Sequence, residues 1–477
     1  MVDSPLPGDV APTPHGAARW LTRRLTWCAH AGHEAGTSVR RIGLIVGGGL
    51  TLRLALIALI WSRPPGDDAA DYHQMAVELA QGAAFEPEWP PGLPYFLRPF
   101  QAMLGATALA DRIAMLSVYL LFCGLLFGLA RRAAGVRAAE LALIALAVIP
   151  SFVHMSVTPL TQLPTAALLV GAAWAALSLV LSPPKRGRGW ARAALLGLAL
   201  AGLLLVRPSN LLVCAATPLI LFVTLRRTAV LVAPALVVVL IAGGWTLRAH
   251  DLTGRWLFVN SANAQNLFYG NNPWTPLYRT WWFGSHKQGE PGVPDEYVAT
   301  HARLAANPPA ERDRAFSAYA VGHIEARPDL FAVRSLARVR TFFAFDTFTG
   351  AQLASTSRAP STARKMLGLA VIAADAACYL VIAGLALLWF FQRPAEQRRL
   401  AWLLALGALL YAVPYFASFA HPTYHFPIVP LLAVAAAARL TSRPPPLSGR
   451  RRTVFFAAAG ALALIQVEWT VHMFSRV

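Results

Sequence analysis

Gly66-Asp67-Asp68-Ala69-Ala70-Asp71-Tyr72 follows directly on an apolar run at 42–61. It leads through a short helical stretch to Trp89-Pro90-Pro91-Gly92-Leu93-Pro94-Tyr95-Phe96-Leu97. The apolar run is long enough, at about 20 residues, to cross a bilayer, so the acids lie just outside a first membrane span. Asp68 and Tyr72 are one helical turn apart and share a face. Asp67 or Asp68 is placed to cap that helix, and Met75, Ala76, Leu79 and Ala80 give it an apolar underside. The pattern predicts an interfacial helix on the bilayer surface. After Gly82 the chain re-enters through a proline-fixed turn whose tryptophan prefers the headgroup level.

The remaining composition also points to a membrane protein. Of 477 residues, 56% are hydrophobic and only 14% charged, whereas soluble domains carry about a quarter charged. Apolar runs of roughly 18 residues or more place spans at about 42–61, 113–130, 138–157, 163–181, 229–247, 367–391, 400–419 and 454–474. Shorter runs at 193–206, 211–225 and 426–440 bring the expected total to about eleven helices, in a range of about 10 to 13. The predicted class is an all-α polytopic membrane protein.

Arginine placement sets the expected orientation, because basic residues in short loops stay cytoplasmic. Arg40-Arg41, Arg131-Arg132 with Arg137, the cluster from Lys185 to Arg192, Arg226-Arg227, Arg393 with Arg398-Arg399, and Arg450-Arg451-Arg452 recur at alternate loops. The N-terminus is therefore expected inside. The first loop is acidic instead, with Asp67, Asp68, Asp71, Glu78, Glu86 and Glu88. Basic clusters flank both ends of the two runs around Arg207-Pro208-Ser209-Asn210, so these runs form a hairpin with an outer turn. Segment 248–365 is net basic yet assigned outside by parity, since long loops translocate largely regardless of charge. The expected organisation is a disordered cytoplasmic tail (1–40), an N-terminal membrane module (41–247) that includes an outer loop at 63–112, a mixed extracytoplasmic segment (248–365) and a C-terminal membrane module (366–477).

The net charge of +19 is largely positive-inside arginine that also favours anionic headgroups. No basic-aromatic groove suggests nucleic acid. The N-terminal stretch is rich in Pro, Gly and Ala and has no apolar core ahead of a cleavage site, so the first span reads as an uncleaved anchor. Cys28, Cys123, Cys214 and Cys378 fall in the tail or in spans, and no disulfide framework is expected.

Asp68-Ala69-Ala70-Asp71-Tyr72, then Ala76, Leu79-Ala80 and Gly82, then Pro90-Pro91-Gly92-Leu93-Pro94, resembles the first-loop signature of the C-type (GT-C) membrane glycosyltransferases. The similarity is to the bacterial branch that includes protein O-mannosyltransferases and lipid A aminoarabinose transferases. The resemblance implies inverting transfer of a sugar from a polyprenyl-phosphate donor to an acceptor hydroxyl, at the outer face of the bacterial cytoplasmic membrane. In that family the aspartate four residues before the tyrosine acts at the acceptor. That residue is Asp68 here, with Asp71 or Asp67 as assistants and Tyr72 beside the substrate. The chemistry calls for a carboxylate to take the hydroxyl proton and for donors and cations to stabilise the departing phosphate. The same acids could instead only cap a helix and keep the loop solvated.

Further matches are weaker. Leu160-Thr161-Gln162-Leu163 resembles a segment where relatives often carry Thr-Glu or Ser-Glu. Gln162 can bind a sugar hydroxyl but cannot serve as a base, which argues against a two-carboxylate or metal-bridged mechanism. His154 lies nearby. Arg207, at the hairpin turn, suits a lipid phosphate or snorkels to the interface. In Ala420-His421-Pro422-Thr423-Tyr424-His425-Phe426-Pro427 the resemblance implies phosphate contacts from His421, Tyr424 and His425. Gln265-Asn266-Leu267 and Gly270-Asn271-Asn272-Pro273 resemble a run common in the bacterial enzymes, implying carbohydrate contacts from Asn266, Asn271 and Asn272. The same residues also make ligand-free turns. Helical spacing over 309–345 suits an amphipathic scaffold. No cofactor is expected, and a divalent cation stays an open alternative. Intramembrane Arg53 and Asp375, with Glu468, are set aside as structural or interfacial. The acceptor (glycan, lipid or protein), the sugar and the chain length stay open. A lipid-linked sugar flippase would show internal repeats and midplane polar groups, and a glycan polymerase or ligase would rely on arginines; both remain as alternatives.

Overall fold

The computed structural model describes residues 39–61, 63–181, 189–277, 293–355 and 361–474. The expected tail over residues 1–38, Cys28 and the basic residues at 185–188 lie outside the described residues. The described chain is helical with no strand. In order the helices are α1 Val39–Leu59, α2 Asp68–Ala80, α3 Gly92–Leu104, α4 Ala108–Ala134, α5 Val136–Val148, α6 Pro150–Met155, α7 Gln162–Leu181, α8 Gly189–Val206, α9 Leu211–Leu225 and α10 Ala229–Thr253. They continue as α11 Ala262–Gly270, α12 Asp295–Ala305, α13 Pro309–Ala326, α14 Pro328–Phe343, α15 Phe348–Ser355, α16 Thr362–Gln392, α17 Arg398–Ala417, α18 Val429–Thr441 and α19 Gly449–Phe474.

Among the described residues, ten helices are long and apolar enough to cross a membrane. They include all three of the short runs, as Gly189–Val206, Pro208–Leu225 and Pro422–Thr441. The eleventh expected crossing, at 138–157, is present as two pieces, α5 and α6. Pro150 lacks an N–H and biases the preceding residue away from helix. Ile149 is accordingly extended, at φ −63° and ψ 125°.

That break explains two charges inside the membrane. A continuous helix would bond Ser151 N–H to the Ala147 carbonyl. Instead Ser151 N–H donates to Asp375 Oδ1 at 2.9 Å, and the Ala147 carbonyl accepts Arg53 Nη1 at 3.0 Å. Arg53 also donates to the Phe152 carbonyl at 3.2 Å and to Gly49 O at 2.8 Å, with its guanidinium 3.7 Å from the Tyr119 ring centre. In hydrocarbon no water can serve freed backbone groups. Arg53 and Asp375 do so, Arg53 at carbonyls on both sides of the break and Asp375 at the Ser151 N–H.

Side-chain contacts join distant segments at two places in the bundle. Arg41 and Arg137 meet at the buried Glu140 (3.1 and 3.3 Å). Thr161, Arg207 and Tyr415 converge through the Arg207 guanidinium. Segment 248–365 was expected to be mixed, but within the described residues it contributes helices α11 to α15 and no strand. Its own core gathers Tyr297, Leu304, Phe316 and Ala320 around Phe268. The 309–345 stretch is two helices, split ahead of Pro328.

Candidate active site

The predicted interfacial helix is present as α2, with Asp67 at its N-cap position. Its buried face is Ala69, Tyr72, Ala76 and Leu79, close to the predicted underside. Asp67 does not cap through its side chain; its carboxylate accepts a hydrogen bond from Gln352 Nε2 on α15. Its backbone, at φ 50° and ψ −144°, is one that side-chain-bearing residues rarely adopt. Such strain costs on the order of 1–3 kcal/mol and clusters at functional sites.

Two devices dock α2. On one side Asp111, fully buried near the start of α4, accepts His73 Nδ1 at 2.5 Å and Gln101 Nε2 at 2.6 Å. On the other, Tyr72 meets Trp89 edge to face at 5.3 Å, which carries the helix onto the Trp-Pro-Pro-Gly return. That return is packed against the α8 hairpin. A Cβ on Gly92 would lie 2.8 Å from both the carbonyl carbon and the oxygen of Leu205, two residues before Arg207. Phe85, Tyr95 and Trp245 pack in mutual edge contacts at 5.6–5.7 Å beneath the same turn. Asn260 and Ser261 bind the carbonyls of Glu88 and Pro87 at 3.1 Å each, tying the loop to the outer segment.

Arg207 is the hub. Its Nε donates to Thr161 Oγ1 at 2.9 Å and its Nη1 to Tyr415 OH at 2.9 Å. Tyr415 in turn donates to Tyr411 OH at 3.2 Å. The guanidinium sits 4.9 Å from the Tyr424 ring centre. Nη2 makes no hydrogen bond to the described residues, so one edge of the planar fork is open. Asp68 is solvent-accessible, yet the protein packed around it raises its carboxyl above the ordinary range. Arg207 opposes that rise, and Asp71 and Asp67 add to it. Burial also raises the Tyr72 hydroxyl, again opposed by Arg207. Tyr72, Asp68 and Tyr424 therefore all sit within the field of Arg207. Asp71 is exposed one turn along.

His421 accepts Thr423 N–H at Nδ1 (3.1 Å), which leaves its ring proton on Nε2. Burial, then the charges of His425 and Arg207, lower it to about 3, so at neutral pH it is an uncharged N–H donor. Gln162 is buried at the start of α7, and its Oε1 has no hydrogen-bond partner.

Other predicted residues fall elsewhere. His425 Nδ1 donates to the Phe342 carbonyl at 2.9 Å and its ring stacks on Tyr379 at 4.4 Å. It lines a small cavity of about 10 Å³ with Asp346 and Asp375. Asn271 Nδ2 donates to the Leu267 and Ala417 carbonyls at 3.0 Å each, and its Oδ1 accepts Arg338. Asn272 bonds Phe268 O and Trp274 N–H, both at 2.9 Å. These two amides are buried and fix the turn against α17, while Asn266 is exposed. Tyr411, Tyr415, His73, Asp111, Arg338 and Gln352 were not singled out from sequence. The Tyr411/Tyr415 pair, one turn apart near the end of an apolar span, was the legible signal. Among the described residues no group of three or more His, Cys, Asp and Glu stands close enough to hold a metal ion.

No family model and no curated protein matches the chain. Among solved structures it is similar to the archaeal oligosaccharyltransferase AglB from Archaeoglobus fulgidus, in complex with an inhibitory peptide and a dolichol-phosphate. That likeness has 15% identity and a TM-score of 0.46, over 88% of this chain and 55% of that one, so the chain spans little more than half of the archaeal protein. It is also similar to ArnT from Cupriavidus metallidurans bound to undecaprenyl phosphate, at 14% identity and a TM-score of 0.41, over 83% of this chain and 77% of that one. Likeness at this level does not assign chemistry, which has to come from the side chains at the first loop.

Proposed function

We propose that this chain is a GT-C-type membrane glycosyltransferase that moves a sugar from a polyprenyl-phosphate donor to an acceptor hydroxyl. The observation that carries the proposal is the juxtaposition of Asp68 with an arginine clamped by Thr161 and Tyr415 and still offering Nη2. A clamped guanidinium with one open edge suits a lipid phosphate. A nearby carboxylate whose affinity for protons is raised suits a general base.

In the proposed step the acceptor oxygen attacks C1 of the donor sugar from the face opposite the phosphate. The C1–O bond to phosphate breaks and its electron pair leaves with the lipid phosphate, stabilised by Arg207 and by the hydrogen-bond donors Tyr424 and His421. The acceptor proton passes to Asp68, and the anomeric configuration inverts. Asp71 assists Asp68, and Tyr72, Gln162 and Asn266 are assigned to substrate contact, Gln162 through its unpartnered carbonyl oxygen. His425, Asn271 and Asn272 support the site through the bonds described above. The site is placed at the outer face of the cytoplasmic membrane, with the N-terminus inside.

The test is transfer by purified protein from labelled polyprenyl-phosphate sugars to membrane extract. Asp68→Asn is expected to bind donor and lose transfer by about 10²–10⁴-fold, the usual worth of a general base. Transfer that survives Asp68→Asn removes the base assignment. Translocation of the lipid-linked sugar in vesicles, with no transfer by the native protein, replaces the enzyme with a flippase.

A further inference from the structure

Four apolar helices bring their ends together far from Arg207. Helix α17 begins at Arg398 and carries Tyr415, one of the Arg207 clamps. At about 1.5 Å per helical residue, Arg398 lies roughly 25 Å from that clamp. Around it α16 ends at Gln392, α18 ends at Thr441 and α19 begins at Gly449. Arg439 Nε of α18 donates to Gln392 Oε1 at 3.0 Å, and Trp389 Nε1 of α16 donates to Gln397 Oε1 at 2.8 Å. Residues 392–399 and 439–453, which carry these ends, hold eight arginines and a single acid, Glu396.

A row of five rings runs beneath the arginines. Trp402 of α17 meets Phe390 of α16 at 6.2 Å, and Phe390 meets Phe391 at 5.7 Å. Phe391 meets Phe455 of α19 at 6.0 Å, and Phe455 meets Phe456 at 5.3 Å. The Arg393 guanidinium stands 4.5 Å from the Phe390 ring centre and that of Arg452 stands 5.9 Å from the Phe456 ring centre. Trp402 and Phe456, at the two ends of the row, are 57% and 58% exposed, so the protein leaves more than half of each uncovered. Rings of this kind at the ends of membrane spans sit at headgroup level.

The charge above the row is as poorly answered as the rings. Arg393 Nη1 donates to the Phe390 carbonyl, Nε is buried without a partner, and Nη2 bonds nothing among the described residues. Burial, then the charges of Arg451 and Arg398, lower the affinity of its guanidinium for its proton. Arginines from α17 and α19 therefore crowd one half-buried cation. Like charges held this close repel unless an anion stands between them.

We infer that these helix ends seat the phosphate of an anionic glycerophospholipid between Arg393, Arg398 and Arg451, with an acyl chain along the row from Trp402 to Phe456. Guanidinium groups bind phosphate through paired donors, and basic pockets between membrane helices suit such headgroups. Free phosphate would answer the arginines and leave the rings bare. A zwitterionic lipid would cover the rings but bring its own cation to the arginines. An anionic lipid satisfies both. The seat goes beyond the glycosyl-transfer proposal and does not depend on it.

The experiment titrates the full chain in detergent with phosphatidylglycerol or with phosphatidylcholine of the same acyl chains, and counts bound lipid by native mass spectrometry. Phosphatidylglycerol is expected to bind the native protein at least about fivefold more tightly, the worth of one basic residue facing anionic lipid. Arg393→Gln and Arg451→Gln are each expected to weaken it by about fivefold and to leave phosphatidylcholine unchanged. Arg451 is exposed in the first turn of α19, so its variant tests the seat without disturbing packing, with thermal unfolding as the check. Arg132→Gln, in the last turn of α4, is the control and is expected to bind as the native protein does. Equal affinity for the two lipids overturns the seat, as does an Arg451→Gln variant that binds like the native protein. An equal loss in Arg132→Gln replaces the seat with attraction to the chain's overall charge. Displacement by inorganic phosphate as effective as by phosphatidylglycerol overturns the lipid as occupant.

Discussion

Gly92→Ala asks whether the proline-glycine return holds Asp68 and Arg207 in register. The added Cβ would stand 2.8 Å from Leu205 C, Leu205 O and Val206 Cγ2. Ordinary contact begins near 3.4 Å, so the first loop and the α8 hairpin must separate by about 0.6 Å. Two of the three atoms are backbone, so no rotamer change relieves the clash. Overpacking of this kind costs about 1–3 kcal/mol. Alanine returns less than the roughly 1 kcal/mol it gains over glycine inside a helix, because Gly92 is the first residue of α3. The net is destabilisation by about 1 kcal/mol or more, which lowers Tm by about 2–4 °C in a chain at the large end of the usual scale. The functional cost is larger in proportion. A misplacement of about 1 Å costs about 10²-fold in a positioned reaction, so about 0.6 Å is expected to slow transfer roughly tenfold. The assay pairs thermal unfolding in detergent with labelled-sugar transfer, and Gly243→Ala is the control because nothing lies within 4 Å of its Cβ. Native Tm and rate in Gly92→Ala, or equal losses in Gly243→Ala, would refute the contact as the positioning device.

Arg207→Lys keeps the charge but loses the fork that joins Thr161, Tyr415 and an open edge. At about 1.5–3 kcal/mol for a charged hydrogen bond, donor affinity measured by titration should fall by about 10- to 100-fold, and an unchanged value removes Arg207 from the donor site. The Asp68 carboxyl is raised in the fold, chiefly by burial, so the fold favours its protonated form and loses stability as pH rises through the folded pKa. Asp68→Asn should therefore match or exceed the native Tm at neutral pH, with the gap closing below the usual carboxylate range; a less stable Asn variant at neutral pH contradicts the burial account. His73→Leu leaves Asp111 buried with Gln101 alone, which should cost about 3–5 kcal/mol. Adding Asp111→Asn should recover much of that loss in a double-mutant cycle, whereas additive losses would show that the pair does not dock α2.

Much of the fold could be read from the sequence, because hydrocarbon imposes a single rule on every span. The first-loop helix and the Arg207 hairpin follow from local pattern. What could not be read depends on contacts distant in sequence. The run at 138–157 reads as one span, and nothing local shows that Pro150 breaks it or that Arg53 and Asp375 serve the backbone groups the break frees. Tyr411 and Tyr415 are legible only as a pair one turn apart in an apolar span; their partner Arg207 lies about 200 residues earlier. His425 carries the same local motif as His421 and Tyr424, yet the 3₁₀ turn Pro422–Ile428 sends it to the Phe342 carbonyl, away from Arg207. Asn271 and Asn272 have a composition that suits sugar equally well. Only the folded turn, with Arg338 and the Ala417 carbonyl on Asn271 and with Phe268 O and Trp274 N–H on Asn272, shows that their amides are engaged.

Four buried or half-buried arginines show how a structural charge differs from one kept for a ligand. Arg53 places both terminal nitrogens on carbonyls and lays its face on Tyr119. Arg334 bonds the carbonyls of Asn272 and Thr275. Arg338 holds Phe416, Ala417, Gly270 and Asn271. In each case both terminal nitrogens are engaged with backbone or amide oxygen, which is how a protein satisfies a cation that nothing else will visit. Arg207 has the same clamps on Nε and Nη1 but keeps Nη2 clear, and its partners are hydroxyls. A hydroxyl both donates and accepts, so Thr161 can hold the guanidinium while its own proton stays available to an anion beside it, and Tyr415 passes its proton on to Tyr411; backbone carbonyls cannot donate. The chemistry of the partners, more than burial or charge, sets Arg207 apart from the other three and supports its proposed role at the donor phosphate.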